Sequence, residues 1–218
     1  MLASAKQMAE FVGLFKTQGT KQIYRKGDQI IRPGDIPRGV YYIEQGLVKA
    51  YDITRYNEEN LLIIRKTGEV FPLIWAISGQ ERHVIYETLQ ETTIYRLNRQ
   101  KFITFLENNP ESMAPLLEMV IEMYRLHSER IINLEYRTAR ERIVSFLLTM
   151  GERFGEKTDE GLLINVQLRH QDIASSINAT RETASRELAN LARKKLITNK
   201  QSLTVLKDLN GLKKILEN

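Results

Sequence analysis

The stretch 169–196, RHQDIASSINATRETASRELANLARKKL, decides how the rest of the chain is read. It divides into two short helical patterns joined by a tight turn. Ile173, Ala174 and Ile177 give the first pattern a small apolar face, and Ala184, Leu188 and Leu191 recur at helical spacing in the second. Between them stands Asn178, one of the few non-glycine residues that enters the left-handed region at low cost. Thr180 then offers a hydroxyl to cap the second helix. The face left over carries Arg181, Glu182, Ser185 and Arg186 near that helix's N-terminus. A helix-turn-helix sets such side chains against base edges in the DNA major groove. His170, Gln171 and Thr180 are then expected on the sugar-phosphate chain. Any helical hairpin carries polar residues outward, so the motif needs support from the rest of the chain.

Bulk properties give some of that support. The chain has 218 residues, 42% of them hydrophobic and 27% charged, enough for one large domain or two modest ones. No apolar run approaches the roughly 20 residues that span a bilayer, and the N-terminus lacks a signal peptide's apolar core. Cysteine is absent, which excludes disulfides, thiolate catalysis and cysteine-held zinc or iron–sulfur clusters. A cytoplasmic location in a bacterium is the expectation. The net charge of +5 is uneven: 14 Lys and Arg stand against 10 Asp and Glu from residue 139 onward, and 18 against 17 before it. The excess falls where a phosphate-binding domain needs it.

Upstream, residues 20–97 alternate short apolar runs with turns. Strands are expected at 24–27, 29–31, 39–43, 47–50 and 61–65, punctuated by Gly-Asp and Gly-Glu turns. Strands this short suggest an antiparallel barrel or jelly roll. Trp75 reads as a core or ligand-wall residue. A short helix is expected at 99–107, and Pro110 can open a longer one. Along that helix Met113, Leu117, Val120, Tyr124, His127, Ile131, Leu134 and Thr138 form an unbroken heptad seam, which asks for a partner helix. Leu116, Met119, Met123 and Leu126 make a second stripe, able to pack on the barrel while the seam faces a second subunit. A further helix is expected from 139 to about 150, broken by Gly151 and Gly155. A strand at 162–166 and a hairpin at 196–206, with its turn at Asn199, Lys200 and Gln201, would make the helix-turn-helix a winged one, with Lys200 on phosphate.

The chain resembles the cyclic-AMP receptor protein/fumarate-nitrate regulator (CRP/FNR) superfamily over nearly its whole length. The resemblance is carried by Tyr41-Tyr42-Ile43-Glu44-Gln45-Gly46-Leu47-Val48, Gly79-Gln80-Glu81-Arg82, His127-Ser128-Glu129 and Arg181-Glu182-Thr183-Ala184-Ser185-Arg186. It implies an α+β chain: a β-roll effector domain at 1–109, a long dimerisation helix at 110–138 and a winged helix-turn-helix domain at 139–218. Arg181, Glu182 and Arg186 match the base-reading positions of the cyclic-AMP receptor branch. The chemistry agrees, because Arg reaches guanine O6 and N7 together and Glu accepts from the cytosine amine. Ser185 is similar instead to the oxygen-sensing branch. Two positions depart from the family: Arg169 stands where a Thr or Ser usually caps the first helix, predicting a weaker start, and Glu187 replaces a residue that is often apolar.

The implied function is a homodimeric transcription regulator bound to an inverted-repeat site, with RNA polymerase as a partner. Its effector site is less family-like. Phe71-Pro72 replaces the Gly-Glu turn that holds a cyclic nucleotide's ribose, and proline removes a backbone donor. Arg82 remains, but His83 and His127 replace a Ser and a Thr, while Ser128 is similar to an adenine-contacting residue. Arg82, His83, Tyr124, His127 and Ser128 are therefore the candidate pocket, for an effector other than cyclic AMP. His83 and His127 would be the haem ligands, yet a lone histidine in a helical seam more often sets register, so haem is not expected. The alternatives are an effector-independent regulator and a ligand-binding module acting through protein contacts. No metal-ligand spacing, phosphate-cradling glycine loop or nucleophile–base motif points to an enzyme.

Overall fold

The computed structural model describes residues 3–217. Contacts divide the chain into two units: the residues up to Asp52 with Leu61–Arg125, and Ile53–Asn60 with the residues from Leu126 onward. The first unit opens with α1 (Ala5–Gln18), which the sequence pattern had not suggested. Ser4 and Gln7 cap it reciprocally, the Ser4 hydroxyl accepting from Gln7 N and the Gln7 side chain from Ser4 N. Strands follow at β1 (Thr20–Tyr24), β2 (Gln29–Ile31), β3 (Val40–Gln45), β4 (Leu47–Ile53), β5 (Glu59–Lys66) and β6 (Val70–Phe71). Then come α2 (Leu73–Ser78), β7 (Ile85–Thr88), β8 (Thr92–Leu97) and α3 (Arg99–Asn108).

The strands form two four-stranded sheets, ordered β1-β8-β3-β6 and β2-β7-β4-β5. Tyr41 and Phe71 on one sheet stack with Tyr86 on the other, at ring separations of 5.2 and 4.7 Å, and so tie the two together. The first strand is a correction. Residues 25–28 turn rather than extend, because the Asp28 carboxylate accepts from Arg25 N at 2.7 Å and closes the loop. On the opposite face of the first sheet, Phe11 and Phe15 of α1 pack with Phe102 of α3, Tyr42 and Leu97 in a core that is almost fully dry. Trp75 is half-buried against it, and the Arg99 side chain donates to its carbonyl at 3.0 Å.

Pro110 opens a single 3-10 turn, Pro110–Ser112, so the long helix α4 starts later than expected and runs Met113–Tyr136. Its two stripes differ in the single chain. Leu116 is 4% exposed, and Met119 and Met123 pack against the core, whereas Leu117, Tyr124 and Ile131 are 51%, 75% and 62% exposed. Thr138, read as a seam position, instead caps the next helix, accepting from Glu141 N while the Glu141 carboxylate accepts from Thr138 N at 2.7 Å. No described helix is long and apolar enough to cross a membrane.

The second unit contains α5 (Ala139–Phe154), β9 (Gly155–Thr158), β10 (Gly161–Ile164), α6 (His170–Ser176) and α7 (Arg181–Arg193), then β11 (Ile197–Lys200), β12 (Leu203–Leu206) and α8 (Leu209–Glu217). Its strands make one antiparallel sheet, β11-β12-β10-β9. Gly151 does not break α5. A Cβ there would stand 2.9 Å from Leu206 and 3.0 Å from Leu162, so the glycine lets helix and sheet approach closely. The helix ends at Gly155, whose strand pairs with β10 in a hairpin not anticipated from sequence.

Candidate nucleic-acid interface

The helix-turn-helix is built from local signals. Ile173, Ala174 and Ile177 are buried, as are Ala184, Leu188 and Leu191. Asn178 has φ 52, the left-handed turn its residue type allows, and Ala179 N reaches back to Ala174 O at 3.0 Å. Thr180 is extended, and its hydroxyl accepts from Thr183 N at 3.2 Å, capping α7 as expected.

The start of α6 differs from expectation. Arg169 supplies no hydroxyl, but its own backbone N donates to the Asp172 carboxylate at 2.9 Å. Its guanidinium grips the same carboxylate in two-pronged fashion, at 3.0 and 2.7 Å. Asp172 is 5% exposed, so the pairing replaces the missing cap. A third contact runs from Arg169 to Glu59 at 3.5 Å. Glu187 is likewise accommodated by charge rather than by packing. It accepts from Arg140 of α5 at 2.8 Å, and that hydrogen bond holds its carboxyl below the ordinary glutamate range.

On the outer side, Arg181, Glu182 and Arg186 are exposed and Ser185 is half-buried. Among the described residues Arg181 makes no ion pair, and Arg186 has a loose one with Glu187 at 3.7 Å. The Ser185 hydroxyl lies 2.7 Å from His170 Nδ1, which links the start of α6 to the first turns of α7. Gln171 is exposed beside it. Lys200 falls in β11 rather than in the turn, whose left-handed residues are Gln201 (φ 49) and Ser202 (φ 67). Its ammonium pairs with Glu160 at 2.8 Å, and that bond pulls the Glu160 carboxyl down.

Sequence reasoning missed one organising residue. Arg142 of α5 donates to the carbonyls of Asn133 (3.1 Å), Leu134 (2.8 Å) and Arg137 (2.8 Å) at the end of α4, and to Ile177 O at the end of α6 (3.3 Å). Helix ends leave such carbonyls without intrahelical partners, and one guanidinium here serves two helices. Nothing in the sequence marks a backbone carbonyl as an acceptor.

The residues expected to meet an effector occupy different settings. Arg82 and His83 are exposed in the irregular segment 79–84, between α2 and β7. Tyr124 is exposed on α4, and His127 and Ser128 are half-buried further along it. Burial pushes the Tyr86 hydroxyl up, with Arg65 and Arg82 acting against that shift. Among the described residues no group of three His, Asp or Glu is placed to hold a metal ion.

Comparison with known proteins agrees with this architecture. Residues 141–215 match the Crp-like helix-turn-helix domain, and residues 21–109 the cyclic nucleotide-binding domain. A global nitrogen regulator from Nostoc sp. is 30% identical over 190 residues, covering 85% of each chain. The fumarate and nitrate reduction regulatory protein of Vibrio cholerae is 22% identical over 187 residues, covering 85% of this chain and 74% of that one. Among solved structures, a CooA mutant from Carboxydothermus hydrogenoformans superposes with a TM-score of 0.77 at 22% identity, over 94% of this chain and 90% of that one. The c-di-GMP responsive regulator CLP of Xanthomonas campestris gives 0.76 at 20%, over 91% and 98%. At these identities the structures speak for the fold alone. The relatives are regulators of transcription, not enzymes.

Proposed function

The chain belongs to the CRP/FNR superfamily of transcription regulators and carries its helix-turn-helix DNA-binding domain, and from that premise we propose that it is a homodimeric, sequence-specific regulator. The supporting observation is the capped N-terminus of α7, where Arg181, Glu182 and Arg186 stand exposed with Ser185 held by His170. Arg181, Glu182, Ser185 and Arg186 read bases, while His170, Gln171, Thr180 and Lys200 follow the phosphates. Residues 1–109 sense, 110–138 dimerise and 139–218 bind DNA, in the cytoplasm and with RNA polymerase as partner. The exposed stripe of Met113, Leu117, Val120, Tyr124 and Ile131 is the dimer seam, completed by His127 and Leu134.

Control comes from a small effector other than cyclic AMP, with Arg82, His83, Tyr124, His127 and Ser128 as its proposed contacts. The support is chemical: Pro72 has no N–H to offer a phosphate, and Phe71 brings no carboxylate for a ribose.

Selected-site sequencing on the full chain tests the reading. Two-fold symmetry requires an inverted repeat with half-sites about one helical turn apart. Enriched sites without that symmetry, or no enrichment, would overturn it. Charged residues at Leu117 and Ile131 together should convert a sedimenting dimer to monomer, since each would be buried without a counter-charge. An unchanged mass would remove the seam from the proposal.

A further inference from the structure

One cleft of the first unit, of about 230 Å³, is lined by three arginines, Arg32, Arg38 and Arg96. Strand register explains why they meet. Arg96 of β8 faces Tyr41 of β3 on one side and Thr20 of β1 on the other. Gln22 and Tyr24 follow Thr20 at every second residue, so all of these share one face of the sheet. Arg32 and Arg38 come from the loop between β2 and β3, and Gly39 ends it. A Cβ at Gly39 would stand 2.8 Å from Arg96 Cγ, so the missing side chain lets the Arg96 stem cross the backbone there.

The cleft is built of donors. Burial pushes the hydroxyls of Tyr24 and Tyr41 up, while Arg38 and Arg96 act on both in the other direction. Both phenols therefore stay protonated and able to donate at neutral pH. Asp35 is the one carboxylate among the lining residues. Among the described residues none of the three guanidinium groups makes an ion pair. Several other cations of this unit are paired: Lys16 and Lys21 share Glu44 at 3.0 and 2.9 Å, Lys49 meets Glu87 at 3.3 Å, and Arg65 meets Glu69 at 3.3 Å. Three arginines against one carboxylate leave the concave wall with a net positive charge, and the concavity focuses that field.

We propose that this cleft binds a small hydroxylated polyanion, one carrying two or more carboxylate or phosphate groups. Arg32, Arg38 and Arg96 take the oxyanions, the Tyr41 hydroxyl and the Gln22 amide add neutral donors, Tyr24 orienting that amide by donating to Gln22 Oε1 at 3.3 Å, and Asp35 accepts from a ligand hydroxyl. The volume lies below the ~300–1,000 Å³ of drug-sized ligand sites, which limits the occupant to a compact metabolite. None of its lining residues is among those proposed above for the effector, and its test does not depend on DNA binding.

Isothermal titration of the full chain with citrate, 3-phosphoglycerate and inorganic phosphate, at matched ionic strength, tests it. Citrate or 3-phosphoglycerate should bind saturably, the tighter of the two identifying carboxylate or phosphate as the favoured oxyanion. Arg38→Gln and Arg96→Gln should each weaken that binding by roughly tenfold or more, the effect of losing a charged hydrogen bond. Lys6→Gln, on the exposed side of α1, should leave it unchanged. If Arg96→Gln does not fold, Arg38→Gln on the exposed loop carries the test. No saturable heat from either organic anion, equal affinity in the arginine variants, or binding by inorganic phosphate alone would overturn the proposal.

Discussion

In the second unit Arg140, Arg142 and Arg169 all end on acceptors of that unit, a carboxylate or a set of carbonyls, at 2.7–3.3 Å. In the first unit Arg32, Arg38 and Arg96 line a cleft whose one carboxylate is Asp35, and among the described residues none of the three makes an ion pair. The residue type is the same, and the difference lies in what the fold placed opposite it. A guanidinium that finds an acceptor inside its own domain is spent on architecture. One that is left unpaired at a surface keeps its full charge for something outside the chain. Arg181 falls in the second group although it sits among the first, and that sets the recognition helix apart from its surroundings.

Arg142→Ala is the severest test of this division. It removes the donor that four carbonyls at the ends of α4 and α6 share, of which Asn133 O keeps the Arg137 backbone N at 3.1 Å, and a buried polar group left unmatched costs about 1–3 kcal/mol. With some of those carbonyls reached by water, the expected loss is about 2–3 kcal/mol, read as a lower urea midpoint. Arg181→Ala should stay within about 0.5 kcal/mol of wild type in the same experiment while weakening DNA binding. If Arg142→Ala melts normally and binds DNA poorly, the partnered arginine is a functional one and the division fails.

Arg186 stands between the two groups, its loose contact with Glu187 leaving the side chain 65% exposed. Arg186→Ala should cost roughly 1–3 kcal/mol on the preferred site and relax the preference at one base pair. Lys200→Ala should instead weaken all sequences alike and flatten the salt dependence, once its surface pair with Glu160 is released. Identical selected motifs from wild type and Arg186→Ala would mean that α7 does not read bases.

Legibility in the sequence tracked how local each signal was. Asn178, Thr180 and the apolar spacing of 173–191 fix two helices and a turn within one short stretch, and the structure forms them as read. Gly151 misled because a glycine in a helix announces only a missing side chain, and the reason here lies on Leu162 and Leu206 of other strands. The hairpin of β9 went unread for want of apolar alternation, its burial being exposed at three of four positions. Arg169 looked like a defective cap because the remedy, Asp172, acts through a guanidinium grip instead of a hydroxyl. The cleft arginines come from a loop and a distant strand, and register alone brings them together.

The smallest effect is expected where a partnered arginine is only partly shielded. Glu187 is drawn below its ordinary value of 4.5 first by the hydrogen bond from Arg140, and burial opposes that shift. A carboxyl whose folded value is depressed stabilises the protein fully above the unfolded value, and the contribution is lost as pH falls through the lower folded one. Arg140 is 43% exposed, so water screens the pair and its worth belongs to the surface range of about 0–1 kcal/mol. Glu187→Gln should therefore lose about that much at pH 7, by urea unfolding, and the gap from wild type should narrow as the pH is lowered from 4.5. A gap that stays constant over that range would mean that Glu187 contributes by shape alone. Arg140 would then be an unpaired cation beside the recognition helix, and it would have to be counted with Arg181 among the groups that meet DNA.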